Sequence, residues 1–112
     1  MSASTYRYYI AGPMSDRPNF NIAAFDAAEA FLRKTNANIE VVNPANFARE
    51  WIDKNRTRKP KESDYVQLFE RRVDALKTCN CIYLLRGWER SNSAVSELYC
   101  AIEWALEIEV EQ

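Results

Sequence analysis

The chain has 112 residues, 47% of them hydrophobic, enough to bury the core of one ordinary globular domain and too few for two. Fifteen basic against sixteen acidic residues leave a formal net charge of −1, so no global field draws the protein to a nucleic acid polymer or an anionic membrane. There is no histidine, which removes Ser-His-Asp and Cys-His nucleophiles and ordinary histidine-based zinc sites. Any acid–base chemistry falls mainly to carboxylates, with Tyr, Lys or Cys in reserve.

The opening residues, 1–5, carry no hydrophobic signal region, and no apolar run approaches membrane-spanning length, so a soluble, cytoplasmic protein is expected. Residues 6–11 are aromatic and β-branched and predict a first strand, stopped by Gly12-Pro13. From Phe20 onward, Ala24, Phe25, Ala28, Phe31 and Leu32 recur at helical spacing and predict an amphipathic helix ending near Lys34. Residues 39–42 form a second strand, halted at Asn43-Pro44. Strand, helix and strand within about forty residues make a βαβ unit, a parallel pair with a right-handed crossover.

The stretch from Arg49 to Asp64 is polar and heavily charged, and a loop or short irregular helix is expected there. Tyr65, Leu68, Phe69, Val73 and Leu76 then restore a helical pattern, which leads into a strand over residues 81–85. After Gly87-Trp88, a single helical stripe joins Ala94, Val95, Leu98, Ala101, Ile102 and Ala105, and residues 106–110 alternate as an edge strand. Four to five strands, mainly parallel, with three main helices predict an α/β three-layer sandwich of flavodoxin or Rossmann type. Cys79, Cys81 and Cys100 are odd in number and include no CxxC pair, so they read as buried reduced thiols; no metal or cofactor is expected.

Ligands of open parallel sheets bind beyond the carboxyl ends of the strands. Both glycines of the chain, Gly12 and Gly87, stand there, and glycine permits positive φ and close approach of a ligand. The predicted rim comprises residues 12–16, Asn43-Pro44 and residues 87–93. The last of these feeds a helix whose N-terminus favours an anion, with Ser91 and Ser93 as hydroxyl donors; the alternative is that one of these polar residues is simply the N-cap. Glu97 is the pointed carboxylate, expected in the first turn and leaning toward the rim, although a dipole-complementing role would place a glutamate there equally well. Asp16 and Glu89 have surface charge as their default reading. Tyr8, Tyr9, Tyr83 and Phe25 read as core, whereas Trp88 follows a glycine in a rim loop, where its ring could cover a ligand or serve a dimer contact.

The segments at residues 9–14 (Tyr-Ile-Ala-Gly-Pro-Met), 42–45 (Val-Asn-Pro-Ala) and 81–91 (Cys-Ile-Tyr-Leu-Leu-Arg-Gly-Trp-Glu-Arg-Ser), with Glu97 downstream, resemble the short phage and bacterial proteins related to nucleoside 2-deoxyribosyltransferases. The resemblance runs from about residue 6 to residue 110. It implies a flavodoxin-like fold and an N-glycosidase or deoxyribosyltransferase acting on 2′-deoxynucleoside 5′-monophosphates, with Glu97 as nucleophile through a covalent glycosyl intermediate. By motif position it also implies Ser91 on the 5′-phosphate, with Tyr9, Gly12, Pro13, Met14, Asn43, Gly87, Trp88 and Ser93 lining the substrate. A small-molecule nucleotide or nucleoside partner and a homo-oligomer follow from the same resemblance. The chain departs from the family pattern where Arg72 and Asn80 replace two aspartates and where Ser93 and Val95 replace glycines. Those departures motivate the alternative of a non-catalytic nucleotide-binding module, a sensor or a sequestering protein.

Overall fold

The computed structural model describes residues 5–14 and 17–112. Four strands, β1 (Tyr6–Ala11), β2 (Ile39–Val42), β3 (Cys81–Leu84) and β4 (Glu107–Val110), form one sheet in the order β2-β1-β3-β4. Every neighbouring pair is parallel, with Tyr8 opposite both Val41 and Cys81, and Cys81 opposite Glu107. Parallel pairs need crossovers, and the helices supply them: α1 (Ile22–Thr35) between β1 and β2, α2 (Ala45–Lys54) and α3 (Glu62–Leu76) between β2 and β3, and α4 (Asn92–Glu103) between β3 and β4. The result is a Rossmann-like α/β arrangement.

Alternation along the strands divides the core in two. Tyr8 and Ile10 of β1 and Cys81 and Tyr83 of β3 pack with Phe25, Ala28 and Leu32 of α1 and Ala45 and Ala48 of α2. On the opposite face Tyr9, Ala11, Ile82 and Leu84 pack with Leu76 of α3 and Ala101 of α4. Burying a side chain the size of Ile10 or Phe25 contributes about 1.5–3 kcal/mol, so these two layers fix the order of the strands. Cys79, Cys81 and Cys100 are unbridged.

The charged region after Asn43 is the main departure from expectation. Residues 45–54 are α2, and the helix exists because Phe47, Ala48, Trp51 and Ile52 recur on one face while Glu50 and Lys54 pair along the outer one. The predicted three main helices are therefore four. Asn43 starts α2: its Oδ1 accepts the Ala45 N–H at 3.0 Å, and Pro44 needs no donor at this position. α3 begins at Glu62, earlier than its apolar pattern, because Asp64 accepts the Lys61 N–H at 2.8 Å in a capping box.

At the other end of the sheet's carboxyl edge the chain enters α1 through a turn over Pro18–Asn21, so the helix begins two residues later than Phe20. Asn19, Phe20 and Asn21 all have φ between 53° and 56°, left-handed conformations that cost non-glycine residues about 1–2 kcal/mol each. The Asn21 amide donates to the Pro13 carbonyl at 2.8 Å and anchors the turn against the end of β1.

Candidate functional site

The connection from β1 leads to β2 on one side, and that from β3 leads to β4 on the other. Neighbouring strands whose crossovers diverge open a crevice at their carboxyl ends, here between residues 11–14 and residues 84–88. The two glycines serve this crevice for different reasons. A Cβ on Gly12 would lie 2.7 Å from the Leu85 Cβ, so Gly12 lets the two strand ends close together. Gly87 has φ of 88°, a left-handed turn that sends the chain into the 3-10 helix Trp88–Arg90 and then α4.

Glu97 is the sixth residue of α4 and sits in the second turn, a correction to its expected first-turn position. The shift follows from the cap: Ser91 is the N-cap, its Oγ accepting the Ala94 N–H at 3.2 Å, so the helix starts at Asn92. Glu97 faces the sheet and is only 2% exposed. The Tyr9 hydroxyl donates to its Oε2 at 2.5 Å, and the Arg72 Nε donates to the same oxygen at 3.1 Å. Among the described residues Oε1 accepts no hydrogen bond. Burial pushes the Glu97 carboxyl above its ordinary range, with the Arg72 charge and the Tyr9 hydrogen bond acting against that rise. Burial, reinforced by the Glu97 charge, also holds the Tyr9 phenol protonated well above its usual range.

Three elements thus deliver one cluster: β1 supplies Tyr9, α3 supplies Arg72 and α4 supplies Glu97. Arg72 is itself buried, its Nη1 lies 3.9 Å from the Met14 sulfur, and its guanidinium stacks 5.4 Å from the Phe69 ring centre. Met14, beyond β1, is therefore drawn into the cluster through Arg72. Arg72, one of the residues at which the chain departs from the pattern it resembles, is in direct contact with Glu97.

The remaining expected site residues fall into two groups. Gly12, Pro13, Gly87, Ser91 and Ser93 lie on the rim: Pro13 approaches Gly87, and the Ser91 and Ser93 hydroxyls are 3.3 Å apart at the start of α4. Ser91 thus satisfies the capping alternative while keeping a hydroxyl proton to donate. Asn43 and Trp88 engage the protein itself. The Asn43 amide donates to Asp26 and Glu29 of α1, both at 3.0 Å, and Trp88 packs half-buried against the core on the α3 and α4 face. Tyr9 is fully buried, as expected of a core residue, yet its hydroxyl is a site group; strand alternation alone gave no sign of that partner.

Asn80 accepts the Arg7 N–H through Oδ1 at 2.7 Å, which fixes the start of β3 beside β1. Glu70 and Asp74, the carboxylates two residues to either side of Arg72, are both exposed. Ser15 and Asp16 lie outside the described residues. Among the described residues no group of His, Cys, Asp and Glu side chains is placed to hold a metal ion, and no helix is long and apolar enough to cross a membrane.

This architecture has a counterpart among solved structures, a 2-desoxiribosyltransferase from Leishmania mexicana, with a TM-score of 0.62 and 17% identity over 94% of this chain. The match covers 63% of that longer chain, and at this identity the likeness is one of fold. None of the curated proteins matches the chain in sequence. A family model does, over residues 6–110, nearly the whole length: the chain belongs to the family described as Domain of unknown function, DUF4406.

Proposed function

We propose that the protein cleaves or exchanges the base of 2′-deoxynucleoside 5′-monophosphates, with Glu97 as nucleophile. The observation that carries this reading is a buried carboxylate at the carboxyl edge of the sheet, held through one oxygen, Oε2, by Tyr9 and Arg72. Two donors on one oxygen fix the carboxylate plane and favour its ionised form, which turns Oε1 into the attacking atom. That oxygen forms a bond to the anomeric carbon as the bond from carbon to base nitrogen breaks, and the base leaves with the electron pair. Water, or a second base, then displaces the carboxylate from the sugar and returns Glu97 to its starting state. The Ser91 and Ser93 hydroxyls and the N-terminus of α4 are suited to the 5′-phosphate, and residues 12–14 to the sugar. The fold shared with the Leishmania enzyme supports this reading.

Arg72 favours a second reading, a nucleotide-binding module without turnover. A guanidinium on Oε2 withdraws charge from the nucleophile and supplies no proton to a departing base. One experiment separates the two: incubation with a panel of deoxynucleotides and chromatography of the products. The glycosidase reading expects free base from at least one nucleotide and a loss of roughly 10⁴-fold or more in Glu97→Gln. The binding-module reading expects thermal stabilisation by nucleotides in both proteins and no base from either.

A further inference from the structure

β4 is an outer strand of the sheet, and all four of its residues are exposed. Glu107 and Glu111 send their N–H groups inward, to the carbonyls of Asn80 at 2.9 Å and Leu84 at 2.8 Å. In a parallel ladder alternate residues turn their backbone groups to opposite sides, so those of Ile108 and Val110 face outward. Among the described residues only Gln112 reaches them, its amide donating to the Val110 carbonyl at 3.4 Å. A further strand can add here through main-chain hydrogen bonds.

The two faces of β4 differ in chemistry. Ile108 stands opposite Ile82, so with Val110 it lies on the α4 face of the sheet, where the two are 46% and 47% exposed. On α4, Glu97 points to Arg72 of α3, and Tyr99 and Ile102 stand about 140–160° round the helix from it, on the flank turned to β4. They are exposed too, by 68% and 54%. The other face is acidic, with Glu107 and Glu109 opposite Cys81 and Tyr83. Charged side chains often guard a sheet edge by standing over it. These lean inward: the Tyr6 hydroxyl donates to Glu107 Oε1 at 2.9 Å, and the Cys81 thiol to Glu109 Oε2 at 3.7 Å. Tyr6 belongs to β1, two strands away, so the Glu107 carboxylate reaches back across β3 and leaves the outer backbone uncovered.

We propose that β4 takes up an extended segment of a partner protein in which lysines or arginines alternate with β-branched apolar residues. Charge complementarity selects this occupant. Paired along the edge at Ile108 and Val110, the segment lays its apolar side chains against those two residues, Tyr99 and Ile102, and its cations beside Glu107 and Glu109. A second copy of β4 does not fit. Residues 107, 109 and 111 are all glutamates, so antiparallel pairing of β4 on β4 sets like charges side by side. Parallel pairing through the same edges turns the glutamates of one copy onto the apolar face of the other.

The test is titration of the full chain with synthetic octapeptides, read by calorimetry and by amide hydrogen exchange. The probes are an alternating Lys-Val peptide, the same residues in two blocks, an alternating Glu-Val peptide, and the alternating Lys-Val peptide with its amide nitrogens methylated. The first is expected to bind about tenfold or more tightly than each of the others, since they lose main-chain bonds, facial pattern or charge match. It is also expected to slow exchange at the Ile108 and Val110 amides and leave the Glu107 amide, already bonded to Asn80, unchanged. Glu107→Lys/Glu109→Lys is expected to reverse the preference in favour of the Glu-Val peptide, a result that a misfolded variant does not produce. Equal binding of the alternating and blocked Lys-Val peptides overturns the proposal, as does binding that leaves the Ile108 and Val110 amides unprotected. So does the absence of binding by the alternating Lys-Val peptide. Protection of those two amides by raised protein concentration alone also overturns it and assigns the edge to a second copy.

Discussion

Among the described residues two carboxylates are buried and each is held by an arginine, yet they are built differently. Asp64 takes Arg58 bidentately at 2.7 and 3.0 Å and the Lys61 N–H at 2.8 Å, so both of its oxygens are engaged. Its partners stand three and six residues away in sequence. Glu97 receives its two hydrogen bonds on a single oxygen, from residues 25 and 88 positions distant. The consequences for protonation are opposite. Hydrogen bonds from Arg58, then from Lys61, hold the Asp64 carboxyl well below the carboxylate range, whereas burial raises that of Glu97. A carboxylate that caps a helix is satisfied locally; one held by the whole fold with an oxygen left over is arranged for something other than stability.

The largest effect is expected from breaking the distant pair. Arg72→Met leaves Glu97 buried without its countercharge, and removal of one partner of a buried ion pair typically costs about 3–5 kcal/mol. Glu97 can escape part of that cost by taking up a proton. Loss of Arg72 raises its pKa further, so the folded state binds the proton more tightly than the unfolded chain. Stability of Arg72→Met relative to wild type therefore falls as pH rises from the ordinary carboxylate range through the raised value. Denaturant unfolding between pH 5 and pH 8 measures this, and the double variant Arg72→Met/Glu97→Gln is expected to recover most of the loss. A pH-independent deficit, unrelieved in the double variant, would mean that Arg72 acts by packing on Met14 and Phe69 alone.

Gly12 sharpens the same contrast, because the Glu97 cluster depends on long-range closure and the Asp64 cap does not. Gly12→Ala places a methyl 2.7 Å from the Leu85 Cβ, and overpacking of this kind costs about 1–3 kcal/mol. Leu85→Ala is not expected to rescue it, since the clashing atom is the Cβ that alanine retains. Chemical shifts should move around Tyr9 and Glu97 and stay fixed around Arg58 and Asp64. Rescue by Leu85→Ala would show that the strand ends are held apart by the outer leucine atoms.

How much of this was legible in the sequence follows the same division between local and distant. The strands at residues 6–11, 39–42 and 81–84 announce themselves through β-branched and aromatic runs ending at Gly or Pro, and their separation by helices dictates a parallel sheet. A mainly parallel sheet and a ligand rim beside Gly12 and Gly87 follow from that pattern, whereas the order β2-β1-β3-β4 and the parallel pairing of all four strands are visible only in the structure. α2 did not announce itself, because charge density over residues 49–61 masks the apolar spacing of Phe47, Ala48, Trp51 and Ile52. Glu97 was visible as a candidate, but neither its turn nor its bond to Tyr9 was, since Ser91, Asn92 and Ser93 are all competent caps and only packing chooses among them. The left-handed run at Asn19-Phe20-Asn21 has no glycine to betray it; two asparagines, which tolerate that conformation, are its single local sign.

A smaller loss is expected at the start of α4. Ser91→Ala removes the oxygen that accepts the Ala94 N–H, and loss of such a cap typically costs about 1 kcal/mol. Ser91→Asp restores an acceptor and should restore stability, while placing a negative charge where a phosphate would bind. Thermal unfolding checks the first expectation, and nucleotide titration the second: equal nucleotide affinity in Ser91→Asp and wild type would remove the phosphate from this helix end.

The smallest effect belongs to the locally built carboxylate, and its pH dependence runs the opposite way from that at Glu97. Because the folded-state pKa of Asp64 lies below the unfolded value of about 3.9, its contribution is complete above that value. It fades as pH falls through the ordinary range toward the depressed folded value, where both states are protonated. Asp64→Asn should therefore be less stable than wild type at pH 7, and the two unfolding curves should converge on acidification. Arg58 is partly exposed, so added salt should narrow the gap at neutral pH as well. At Glu97 the salt dependence has no counterpart, because its ion pair is sealed from solvent on both sides, and the Arg72→Met deficit narrows in acid for a different reason, the uptake of a proton by Glu97 in the folded variant. A gap at Asp64 that persists at low pH would place its value in the neutral capping geometry, and the two carboxylates would then differ in reach but not in electrostatics.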